Sequence, residues 1–159
     1  MRVLVGLALA GLCLGAASAS PAAGTMPTRK AGWWELKVAI TGPTPNPIHQ
    51  TAHLCTDPAV DAQETPFGIN RGGDRCPAPK VVKTAAGWSF TSACKLGSMT
   101  VSTEGAARGD LNSHYTVDLT THIAPPPRPQ LATSHVAIDA TWLGTCPAGK
   151  KPGDIVSTT

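Results

Sequence analysis

Five cysteines, five histidines and ten carboxylates are the groups in this chain that could carry metal, redox or acid–base chemistry. Their spacing argues against most of it. His49 and His53 stand four apart, which on a helix would place both on one face as metal ligands. Their surroundings alternate between polar and apolar residues, and on a strand the two would be ~13 Å apart, too far to share an ion. His114, His122 and His135 fall on the solvent-facing phase of their strands. The cysteines form no Cys-x-x-Cys pair of the kind that holds zinc. No metal and no cofactor are expected. The sequence also holds no Gly-x-Ser-x-Gly elbow, no phosphate-cradling loop and no His-Glu-x-x-His. Asp118 and Asp139, on outward phases of neighbouring strands, come nearest to a carboxylate pair, although such sheet carboxylates are ordinarily solvated. A catalytic triad is assembled in space rather than in sequence. A hydrolase-type enzyme therefore stays open as the alternative to a non-enzymatic protein.

The cysteines point to redox compartment instead. Met1-Arg2 gives a positive start, Val3 to Leu14 an apolar run, and Ala17-Ser18-Ala19 the small residues of a cleavage site. Residues 1–19 thus read as a cleavable signal peptide, with an apolar run well short of the ~20 residues that span a bilayer. Cys13 lies inside that run behind Leu12, which does not suit lipidation, and it leaves with the signal. No transmembrane segment is then expected in the mature chain. Four cysteines remain, Cys55, Cys76, Cys94 and Cys146, and an even count in an oxidising compartment suggests two disulfides. A periplasmic or secreted location follows. With Arg2 removed, twelve basic residues face ten acidic ones, a net charge of +2 with no basic stripe, so nucleic acid is not an expected partner.

The elements that must position these groups are strands. Residues 20–29 are small, polar and Pro-bearing, a flexible leader ahead of one domain over residues 30–156. Period-two alternation then dominates. Apolar residues hold the even positions of Trp34 to Ile40, and Ile48 to Cys55 is a weaker strand. Val81 to Cys94 reads as a hairpin turning at Thr84 to Gly87, and Met99 and Val101 continue the pattern. Tyr115, Val117, Leu119, Thr121 and Ile123 alternate with His114, Thr116, Asp118 and His122; Val136, Ile138, Ala140 and Trp142 repeat the alternation. The one helical candidate is Asp57 to Glu64, capped by Thr56 or Asp57 with Pro58 at its first position. Gly42 to Pro47 and Pro125 to Pro129 must be connections, because proline cannot donate to a ladder. Thr65 to Arg75, with three glycines, is a third loop. The expected fold is mainly β: about seven antiparallel strands, curved as a half-barrel or sandwich, with one short helix in the 56–75 connection.

In the hairpin centred near Ala85, residues whose numbers sum to about 170 face one another. Cys76 and Cys94 meet that condition, which would leave Cys55 to Cys146, although four cysteines allow three pairings. In a plain meander Cys55 and Cys146 would sit at opposite ends of strands ~26 Å long, while bridged α-carbons lie within ~7 Å. A Cys55–Cys146 bridge therefore requires residues 56–75 to cross the sheet. The second and third strands then point the same way, and both Pro-rich loops lie at one end.

The residues assembled so far resemble a family of exported bacterial proteins of unknown function, domain-of-unknown-function family 3617. The likeness rests on Arg29-Lys30-Ala31-Gly32-Trp33-Trp34-Glu35, on Leu54-Cys55-Thr56 before a short acidic helix, on Cys76 and Cys94, and on Leu143-Gly144-Thr145-Cys146-Pro147. It spans roughly residues 29–155 and departs from the family at Pro125 to Pro129, where a Met- and Gly-rich stretch would be expected. It implies an envelope location and a β fold, and brings no activity with it.

Trp34, Trp88, Phe90, Tyr115 and Trp142 all take inward phases. Large aromatics dominate β cores, so burial is the first expectation. A curved sheet whose inner face lines an apolar ligand cavity is the second. Trp33 takes the outward phase and is a candidate partner contact. Together these features favour an exported envelope protein that binds an apolar small molecule, a lipid or an envelope partner without catalysis. A purely structural envelope module is a further alternative.

Overall fold

The computed structural model describes residues 27–63 and 76–158. The signal segment 1–19, leader residues 20–26, Glu64 and the loop Thr65 to Arg75 lie outside the described residues. Eight strands, β1 (Gly32–Thr41), β2 (Ile48–Thr56), β3 (Lys80–Thr84), β4 (Gly87–Leu96), β5 (Met99–Asp110), β6 (His114–Ala124), β7 (Thr133–Gly144) and β8 (Ile155–Thr158), form one antiparallel sheet. The order is β3-β4-β5-β6-β7-β1-β2-β8, open between β3 and β8. The chain is thus mainly β, with one continuous, unclosed sheet and one strand beyond the seven read from alternation. That extra strand, β8, has only Ile155 and Val156 as apolar residues, too few to show a period. It is held by backbone pairing to Thr51 through Leu54.

Six antiparallel steps separate β2 from β3 in the sheet, so the two run in the same direction, as the crossover required. The connections 42–47 and 125–132 and the Cys76–Cys94 bridge therefore share one end of the sheet, called here the proline end. The second disulfide joins Cys55 to Cys146 at the opposite end. Their α-carbons are 4.9 Å and 5.5 Å apart respectively. The hairpin pairs Thr84 with Gly87, and α1 (Pro58–Gln63) is capped by Asp57, whose carboxylate accepts the amides of Ala59 and Val60, each at 2.9 Å.

The inner face carries the core: Trp34, Val81, Phe90, Ala107, Leu111, Tyr115, Val117, Leu119, Ile138 and Ala140 form one buried cluster drawn from six strands and the turn after β5. Trp34 and Tyr115 have no exposed surface, and their rings meet at 5.3 Å. Across from Phe90, directly paired with it, stands Gly105. A β-carbon there would come within 2.7 Å of two Phe90 ring atoms and would press on the Asp118 carbonyl. The phenyl ring fills the place of the missing side chain, a device that stabilises glycine in sheets. Gly105→Ala should cost about 1–3 kcal/mol by overpacking, checked by denaturant unfolding. A cost indistinguishable from zero would show that the ring is free to shift.

Candidate functional site

The two ends of the inner face differ. At the end opposite the prolines it is sealed by a polar plug. Arg29 and Asp61 are both buried, and the Arg29 Nε donates to Asp61 Oδ1 at 2.9 Å while the Arg29 backbone amide donates to Oδ2 at 3.0 Å. The guanidinium also donates to the Tyr115 hydroxyl at 3.1 Å, and Thr56 donates to Asp61 at 2.8 Å. Burial pushes the Tyr115 phenol above its ordinary range, and the Arg29 cation pulls against that. Lys30 joins the seal through its amide, bonded to the Leu111 carbonyl at 2.9 Å, and its ammonium lies 3.5 Å over the Trp142 ring. Arg29, placed at the end of the leader by composition, is therefore part of the folded domain. No buried side-chain polar atom among the described residues lacks a partner.

Gly32 explains why a glycine opens β1. Its φ is +137°, and a β-carbon would strike the Gly144 carbonyl and stand 2.5 Å from Trp142 Nε1. The residues that carry the family resemblance thus build this sealed end. Trp34 is its floor, Thr56 its hydroxyl, and Cys55–Cys146 its outer clasp.

Toward the proline end the described residues do not seal the same face. Beyond Leu36, Val38 and Val136, which pack half-buried against the core, Ile40 of β1, Ile123 of β6, and Val101 and Met99 of β5 keep the inward phase but are only half-buried. At the rim, Ile48 and Leu96 share that phase and are 44% and 42% exposed. Gln50, Thr103, Thr121 and Ser134 set polar groups among them. An apolar trough with a few polar groups is the usual constitution of a small-molecule site. Of the five inward aromatics, Trp34, Phe90 and Tyr115 are buried in the core, and Trp88 and Trp142 pack against it half-buried. All five lie in the packed part of the face, not in the open part.

The outer face holds a shallow open groove of about 620 Å³ over β6, β7, β1 and β2. Ala39 and Ala137 floor it, and Lys37, His49, Asp118 and Asp139 stand at its sides. The two carboxylates do share this groove, but each has its own partner: Arg108 donates to Asp118 at 3.1 Å, and the His114 ring nitrogen Nε2 lies 3.0 Å from Asp139 Oδ2. All four groups are exposed, so these surface contacts contribute little. His49 and His53 sit on the outer phase of β2, and no group of three or more metal-ligating side chains occurs among the described residues. Trp33 is outward but half-buried, stacked on His53 at 5.5 Å.

The family model described as Protein of unknown function (DUF3617) matches residues 29–146. The chain belongs to this family. No curated protein and no solved structure matches it. For this DUF3617 chain the match begins at Arg29, the buried cation of the plug, and ends at Cys146, half of the clasp. Sequence reasoning missed the Arg29–Asp61 pair. Its signal was an aspartate in mid-helix between Val60 and Ala62, with no Lys or Arg nearby in sequence. No helix among the described residues is long and apolar enough to cross a membrane.

Proposed function

We propose that this chain is an exported envelope protein that binds the apolar portion of a small molecule or lipid, without catalysis, in the open half of its inner face. One observation carries the reading: the inner face is packed from Trp34 to Leu119 yet only half-buried at Ile40, Ile123, Val101 and Met99. A protein that needed only stability would gain by burying these aliphatics, at roughly 25 cal/mol per Å². Leaving a contiguous strip of them accessible suits a surface that is covered part of the time. Export is supported by the charged, apolar and small-residue order of Met1 to Ala19, with the mature domain beginning after it, and by two intramolecular disulfides.

The test is titration of the purified mature protein with a fluorescent fatty acid, followed by displacement with unlabelled fatty acid. Saturable binding is expected for the wild type. Ile123→Glu, which puts a carboxylate into the trough, should weaken it by about tenfold or more, and Met99→Trp, which fills the trough, should do the same without adding charge. Thermal melts establish that both variants fold. Absence of saturable binding, or equal binding by folded variants, would dispose of the proposal.

A further inference from the structure

Charge is distributed unevenly between the two ends. In the connections of the proline end, residues 76–79 included, and the three strand residues beside each, the formally charged side chains among the described residues are Lys80, Lys95 and Arg128, all exposed. No described carboxylate accompanies them. Elsewhere the described residues hold seven Lys or Arg and eight Asp or Glu, so the net positive charge of this part of the chain resides at that end. The same end presents Ile48 and Leu96, exposed on the inward phase at the lip of the trough. The other two exposed large apolar side chains among the described residues, Leu143 and Ile155, lie toward the sealed end, where Asp57, Asp110 and Asp154 are present.

Exposed aliphatics beside unopposed cations are the combination that holds a protein to an anionic bilayer. The apolar groups enter the acyl boundary, and each cation near the surface adds to the attraction. From this we infer that the proline end is a docking surface for an anionic lipid bilayer, set down with Ile48 and Leu96 in the interface and Lys95 and Arg128 among the headgroups. Charge complementarity selects this occupant. A rim whose described charges are all basic repels a second copy of itself, and an anionic surface neutralises it. Docked this way, the mouth of the trough faces the membrane, which is where a lipid would enter. The inference adds to the proposed function and stands independently of it.

The experiment is co-sedimentation of the mature protein with vesicles of phosphatidylglycerol mixed with phosphatidylcholine, against vesicles of phosphatidylcholine alone. Preferential binding to the mixed vesicles, falling as salt is raised, is expected. Lys95→Glu with Arg128→Glu should weaken partitioning by about twentyfold or more. Lys150→Glu with Lys151→Glu makes the same charge change at the sealed end and should leave most binding in place. Leu96→Asp should weaken binding without altering the basic residues. All substituted positions are exposed, so the fold is retained, and melting curves check it. Equal losses from the two double variants would reduce the effect to net charge and overturn the inference. Equal binding to both vesicle types, or none to the mixed vesicles, would overturn it too. Lys95→Glu with Arg128→Glu separates the two proposals: it should lose vesicle binding and keep saturable fatty-acid binding in the absence of vesicles.

Discussion

Replacing Cys55 and Cys146 together by alanine should lower the unfolding free energy by about 4–5 kcal/mol. The bridge closes a loop with a sequence separation of 91, so its loss returns a large conformational freedom to the unfolded chain. The same reasoning gives about 3 kcal/mol for Cys76–Cys94, whose separation is 18. The longer bridge also has a native-state role. Cys55 is fully buried, its amide donates to the Asp154 carbonyl at 3.0 Å, and its own carbonyl accepts from Gly153 at 2.9 Å. These bonds seat the segment that leads into β8, the edge strand, so loosening the clasp should also loosen β8. Chemical denaturation of the two double-alanine variants measures both costs. The order matters more than the values: if removing Cys76–Cys94 costs as much as or more than removing Cys55–Cys146, chain closure is not what these bridges contribute.

The second large effect is expected at the plug. Arg29→Ala leaves the Asp61 carboxylate buried without its cation and removes the guanidinium hydrogen bond to the Tyr115 hydroxyl. Breaking a buried pair from one side costs about 3–5 kcal/mol, whereas replacing both partners by apolar residues of similar size is often neutral. Arg29→Met combined with Asp61→Leu should therefore recover much of what Arg29→Ala loses, as measured by thermal and denaturant unfolding. A single-variant cost below about 1 kcal/mol would mean that water reaches Asp61. The network also has a pH signature. Because burial raises the Tyr115 phenol in the folded state, its contribution to stability is complete below the ordinary phenol pKa. That contribution is lost as the pH rises through the folded value. The wild type should lose stability in strongly alkaline solution, and Tyr115→Phe should lack that component.

Legibility followed the range of the interactions. Alternation exposed the inward phases of β1, β6 and β7 because each strand has one buried face and a period of two. The β3–β4 hairpin and the cap of α1 were equally plain, since turn and cap chemistry act over a few residues. The second half of β5 was not. Gly105-Ala106-Ala107 has no apolar contrast, because Phe90 covers the glycine from the neighbouring strand. The buried Asp61 was hidden for a similar reason: its cationic partner is 32 residues away, and a mid-helix aspartate reads as solvated.

For the candidate site the division is sharper. Strand phase identified the aromatics as inward, but phase says only which face a side chain takes, not what lies over it. Whether an inward residue is packed depends on which strands curl against it and what caps the end of the sheet. The plug of Arg29, Asp61 and Tyr115 closes one end and leaves Ile40, Ile123, Val101 and Met99 accessible at the other.

By itself, then, the sequence determined an antiparallel sheet and tied a Cys55–Cys146 bridge, if formed, to a crossover, because strand length and side-chain period are local constraints with few solutions. Only the tertiary structure decided which end of the inner face is filled and which is open. Burial is a property of surfaces brought together from distant parts of the chain.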